Sequence, residues 1–140
     1  MDIFKKLKIY GILGFLRLLI DRMFTMIIIP SARIIRRPLY VRGWKYINWG
    51  ENLTLGVGLR LDVFENLHKN PIVIFGKNCQ LNDYVHIAAM ESIVFGDNVL
   101  IASKVFITDH NHGDFYGNPE ISLAPALRKE VSSPVIIESN

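Results

Sequence analysis

The sequence predicts an all-β solenoid, a parallel β-helix, led in by a helical segment. The first observation is a repeat: Leu55-Gly56, Phe75-Gly76 and Phe95-Gly96 recur at a spacing of twenty. The second is that residue classes keep their places within it. Leu53, Val73 and Ile93 form one apolar column; Leu55, Phe75 and Phe95 a second; Leu59, Cys79 and Val99 a third; Leu61, Leu81 and Ile101 a fourth; Leu67, Ile87 and Ile107 a fifth. Stacked coils need such columns, because each coil buries its apolar side only against its neighbours. The third is corner chemistry: Asn78 and Asn98 tolerate the positive φ that tight corners require. An antiparallel sandwich also has short strands, but nothing holds one residue class at one long period there. A leucine-rich repeat needs a different consensus.

Residues 1–48 read as an apolar, basic helical segment and lead-in. From Phe4 to Ile29 nearly every residue is apolar, yet Arg17, Asp21 and Arg22 interrupt the run, so no uncharged stretch reaches the roughly 18 residues that span a bilayer. The same charges, and the lack of a small-residue cleavage site, argue against a signal peptide. Lys6, Tyr10, Gly14, Arg17, Asp21 and Thr25 recur at helical spacing as a narrow polar stripe, with Arg17 and Asp21 one turn apart and able to pair. Pro30 and Pro38 bracket a cluster of Arg33, Arg36 and Arg37, with Arg42 beyond, and should end the helix. The helix packs its apolar side on the body of the protein or its oligomer, or lies in a membrane interface, and the two are not exclusive.

Residues 49–140 form the β-helix domain. Its ladder stops after Ile107 and resumes with Val135 and Ile137, leaving an inserted loop at about 108–133. Inserted loops on rigid scaffolds are where binding groups gather. The single cysteine, Cys79, forms no intramolecular disulfide or CxxC pair and fits the interior as a small hydrophobe.

The bulk figures bound the function. At 140 residues the chain has room for one compact domain, and 50% hydrophobic content excludes a disordered chain. Residues 1–45 hold ten Lys or Arg against two acids, while 46–140 hold six against eleven. The basic head interleaves its cations with long aliphatic residues, which suits a membrane surface better than a nucleic-acid groove; no nucleic-acid partner is expected.

The unit of a large aliphatic residue, Gly, two variable residues and a small or β-branched residue resembles the hexapeptide-repeat acyltransferases. The most specific stretch is Phe95-Gly-Asp-Asn-Val-Leu-Ile-Ala-Ser-Lys-Val-Phe-Ile-Thr-Asp-His110. The resemblance covers about residues 50–140 and is strongest to bacterial sugar O-acetyltransferases, of the galactoside and maltose type and of the O-antigen and capsular polysaccharide type. It implies a left-handed coil, a homotrimer with active sites between subunits, acetyl-CoA as co-substrate, and a sugar or lipid-linked glycan acceptor in surface polysaccharide or lipopolysaccharide biosynthesis. The expected location is the cytoplasm, with the cytoplasmic face of the inner membrane as the surface the helix would touch. No metal is expected.

His110 stands where the last regular strand ends. Taking a proton from a sugar hydroxyl near neutral pH suits histidine, and the resemblance implies that a histidine leaving a coil here is the base. His112, two residues on, is the rival, and is also a candidate for binding the substrate. Asp109 or Asp114 would orient the working imidazole. By the family register Asn82 takes the position of an asparagine that holds the acceptor, and Asp62 stacks one coil earlier in the same column as a second acceptor-binding side chain. No CoA-binding residue is identified. Two other readings compete. Asp109, His110, His112 and Asp114, with His86, offer ligands for a zinc site like that of the β-helix carbonic anhydrases. Ile137-Glu-Ser-Asn140 opens another six-residue unit with Glu138 in the glycine column, which would also suit a truncated, catalytically inactive trimeric remnant.

Overall fold

The computed structural model describes residues 3–65, 72–113 and 119–140. Leu67 and Asp114 lie outside them. After helix α1 (Ile3–Ile28) the chain runs through β1 (Ile34–Ile35), β2 (Leu39–Arg42) and β3 (Ile47–Asn48). It then runs through β4 (Thr54–Leu55), β5 (Leu59–Val63) and β6 (Val73–Phe75), and through β7 (Gln80–Leu81), β8 (His86–Ala89) and β9 (Ile93–Phe95). Finally come β10 (Leu100–Ile101), β11 (Phe106–Thr108), β12 (His110–His112), β13 (Glu130–Ser132) and β14 (Val135–Ile137).

These strands form three parallel sheets, β1-β4-β7-β10, β11-β8-β5-β2 and β14-β9-β6-β3, so the chain visits each sheet in turn and returns one strand further on. The order is that of a β-helix-like fold. The pairing starts at Ile34, which faces Thr54, so the first set of strands lies within the stretch that the sequence reads as a lead-in. Inward side chains make one apolar core: Ile35, Leu55 and Leu81 on the first sheet, Leu59, Leu61, Val85 and Ile87 on the second, Val73, Phe75, Ile93 and Phe95 on the third, all essentially buried. The Phe75 and Phe95 rings stack at 4.9 Å.

The register corrects the sequence columns. The step of twenty holds from Ile34 to Thr54, from Val73 to Ile93 and from Leu81 to Ile101. Between them Leu55 faces Leu81 and Leu61 faces Ile87, a step of twenty-six. Leu55 therefore does not share a column with Phe75, nor Leu61 with Leu81. The six extra residues fall between β5 and β6 and equal one repeat unit. A slip by one unit moves a residue to the next sheet, where the same residue classes recur, so class matching could not detect it. The glycine column is likewise Gly50, Gly76 and Gly96: a Cβ on Gly50 would lie 2.1 Å from the Gly76 carbonyl oxygen, and one on Gly76 would lie 2.5 Å from that of Gly96.

Corners behave as the sequence suggests. Asn52, Asn78 and Asn98 have φ of 55°, 58° and 61°. The Asn52 amide donates to Asn78 Oδ1 at 2.9 Å, and the Asn78 amide to Asn98 Oδ1 at 3.0 Å, forming a ladder along one edge. Cys79 is buried and free, and burial pushes its thiol above the ordinary cysteine range.

Helix α1 is interrupted at Gly11 (φ 67°, ψ 177°). It faces inward with polar residues. Thr25 Oγ1 donates to the Asp21 carbonyl at 2.7 Å and accepts the Ile35 amide at 2.8 Å. Buried Asp21 pairs with Arg37 at 2.8 Å, while Arg17 donates instead to the Arg37 carbonyl at 2.7 Å. The pairing expected within the helix is thus replaced by pairing to the segment after it. Of the apolar side, Phe24 packs against the core and Phe15 and Leu18 are half-buried, while most of the rest faces away from the body of this chain.

The inserted loop closes its own neck. β12 and β13 pair antiparallel, His110 facing Ser132 and His112 facing Glu130. Val135 and Ile137 then rejoin the third sheet opposite Ile93 and Phe95, the columns that the sequence assigns to their coil.

Candidate active site

The site begins with Asp109, the first residue after β11. It is 5% exposed, and an isolated carboxylate at that depth would be strongly destabilising. Three successive amides of the turn between β8 and β9 stabilise it. Met90 N–H donates to Oδ1 at 2.9 Å and Oδ2 at 3.1 Å, and Glu91 and Ser92 N–H donate to Oδ2 at 2.7 and 2.8 Å. Such a concave set of amides is a ready anion site.

His110 follows directly, and its Nδ1 lies 3.0 Å from Asp109 Oδ1 and 3.2 Å from Thr108 Oγ1. Nδ1–H donation to the carboxylate assigns the tautomer and leaves the basic lone pair on Nε2. The His110 side chain is 11% exposed, and the Phe64 ring meets it edge-on at 5.8 Å. His112 differs: its side chain is 55% exposed, and the Glu130 carboxylate stands 3.9 Å away.

The outer face of the second sheet leads to this point. One row runs Tyr40, Arg60, His86, Phe106, and the adjacent row Arg42, Asp62, Ala88, Thr108. Asp62 accepts from Arg60 Nε at 2.6 Å, lies 3.0 Å from His86 Nε2 and 3.6 Å from Arg42 Nε. Burial pushes the Asp62 carboxyl up, but its hydrogen bonds to Arg60 and His86 and the Arg60 and Arg42 charges outweigh that and hold it below the ordinary range. Arg42 also sits 5.9 Å over the Phe64 ring, which touches His110. An open groove of about 560 Å³ lies against Tyr40, Arg42, Gly58, Arg60 and Asp62.

Sequence reasoning placed Asp62 and Asn82 in one column; the structure does not. Asp62 faces Ala88 on the second sheet. Asn82 directly follows β7 on the first, accepting from the Gln80 amide at 3.0 Å, in a cleft of about 620 Å³ shared with Phe15, Arg22, Arg33 and Arg36. Within one chain Asn82 precedes the second sheet and His110 follows it, so they stand at opposite edges of that sheet. His86 was noticed only as a metal ligand; its pairing with Asp62 depends on the step of twenty-six. Among the described residues no three of His, Cys, Asp and Glu converge as a metal site.

The chain is 49% identical over 138 residues to WbbJ of Escherichia coli (strain K12), a proposed lipopolysaccharide biosynthesis O-acetyl transferase; the match covers 96% of this chain and 68% of that protein. No family model matches the chain, and no solved structure matches it.

Proposed function

The chain belongs to the lipopolysaccharide O-acetyltransferase family, and on that premise we propose that it moves an acetyl group from acetyl-CoA to a sugar hydroxyl in surface polysaccharide assembly, with His110 as general base. The observation that carries the base assignment is the Asp109–His110 pair. Asp109, fixed by three amides, holds Nδ1 and so aims Nε2. Among the described residues His112 has no comparable anchor, which supports His110 over it.

His110 Nε2 takes the hydroxyl proton as the sugar oxygen bonds to the acetyl carbon. It returns that proton to sulfur as the carbon–sulfur bond breaks. No covalent acyl-enzyme is needed. Asp109 keeps its charge throughout and stabilises the imidazolium that forms in between. Asp62 and Arg42 lie on the sheet face leading to His110, which supports a role for Asp62 in acceptor binding. Asn82 reaches an acceptor at His110 only from a neighbouring copy; this fits the homotrimer and the left-handed coil that the hexapeptide resemblance implies, and we adopt both here. Because acetyl-CoA is made in the cytoplasm, the reaction belongs on that side.

The test is release of CoA thiol dependent on a glycan acceptor. The parent chain should release it, and His110→Ala should lower the rate by about 10²–10⁴, the usual contribution of a general base. Near-parent turnover in that variant, with its circular dichroism unchanged, overturns the assignment.

A further inference from the structure

Helix α1 is inside-out. Its polar residues Asp21 and Thr25 are buried against β1, while most of its apolar residues face outward, Ile12 72% and Ile27 77% exposed. Taking about 100° per residue, Ile12, Leu16, Leu19, Ile20, Met23 and Ile27 fall within one outward arc, which spans about 140° when Leu13 and Met26 at its edges are included. No charge interrupts this arc. Arg17 and Arg22 stand at its two margins and reach back to main-chain carbonyls of Arg37, Ala32 and Arg33 at 2.7 to 3.0 Å. A contiguous apolar face of this extent, bordered by cations, marks a surface that something covers.

We propose that this face lies flat in the interface of an anionic lipid bilayer, with the arc sunk among the acyl chains and the arginines level with the headgroups. Charge selects the bilayer over a second copy of the chain. Between residues 3 and 37 the cations include Lys5, Lys8, Arg17, Arg22, Arg33 and Arg36, whereas the sole acid is Asp21, which is buried and paired with Arg37. Two such segments meeting would bring like charges together, while anionic headgroups attract them. No helix among the described residues is long and apolar enough to cross a membrane, which leaves the flat orientation. The break at Gly11 lets Ile3–Tyr10 take its own angle on the surface.

The full chain is sedimented with vesicles of phosphatidylcholine alone and of phosphatidylcholine with phosphatidylglycerol, beside the variant Leu16→Glu/Met23→Glu. Both substituted positions are exposed, so the thermal unfolding midpoint should not move. The parent should bind the anionic vesicles at least about tenfold more tightly than the neutral ones, less tightly as salt rises, and at least about tenfold more tightly than the variant. Failure of the parent to bind, or equal binding by the variant, overturns the proposal. So does a variant whose mass by light scattering falls while the parent ignores vesicles, because the face then joins copies of the chain.

Discussion

Asp109 and His110 are adjacent in sequence, yet what makes them a unit comes from elsewhere in the chain. The carboxylate accepts amides from Met90, Glu91 and Ser92 of the previous coil, so its position is set before the imidazole is added. His112→Ala should therefore leave turnover near the parent rate, measured by the same thiol release, because its side chain is exposed and, among the described residues, held by no buried partner. Asp62 supplies a stability prediction. Its folded carboxyl titrates below the ordinary range, so the ionised form contributes stability that is complete above the unfolded value near pH 3.9 and is lost as pH falls through the lower folded value. Asp62→Asn should lower the unfolding midpoint at neutral pH and flatten its fall below about pH 4. An unchanged pH dependence would show that the Arg60–Asp62–His86 network contributes nothing.

Coils and corners carry the next scale. Phe95 is fully buried and stacked on Phe75, and Phe95→Ala should cost about 3–5 kcal/mol in denaturant unfolding. Asn78 is at positive φ and links Asn52 to Asn98, so Asn78→Ala should cost about 1–2 kcal/mol for the left-handed backbone alone, while Asn78→Gly should cost less. The stack of parallel strands was legible because its columns repeat: Phe75 with Phe95 and Leu81 with Ile101 were read correctly, as was the return at Val135. The first coil was missed because Ile34 and Ile35 sit between prolines and arginines that mask the pattern. The slip of one unit between β5 and β6 was invisible because the three sheets use the same residue classes. It misplaced Asp62 and hid its partner His86. For the proposed base, the break in the ladder pointed to His110 and the sequence offered Asp109 or Asp114 as its partner; the choice of Asp109 rests on the amides of a turn some eighteen residues earlier.

At the scale of the whole molecule, a rigid stack of parallel strands presents two distinct surfaces. The second sheet runs to His110, and the opposite flank of the first sheet carries the inside-out helix. The proposed base and the proposed membrane face therefore use separate parts of the chain, while Asn82 shares its cleft with Phe15 and Arg22 of the helix, so variants at His110 should leave vesicle binding intact. The account stands on Asp109 and His110 acting as one device for proton transfer. The most direct test is a double-mutant cycle on acceptor-dependent thiol release, with His110→Ala, Asp109→Asn and the pair, each rate expressed per folded molecule. His110→Ala should lose about 10²–10⁴ in rate, and adding Asp109→Asn to it should change nothing further. Independent, additive losses from the two substitutions, or a His110→Ala chain that still turns over near the parent rate, would contradict it.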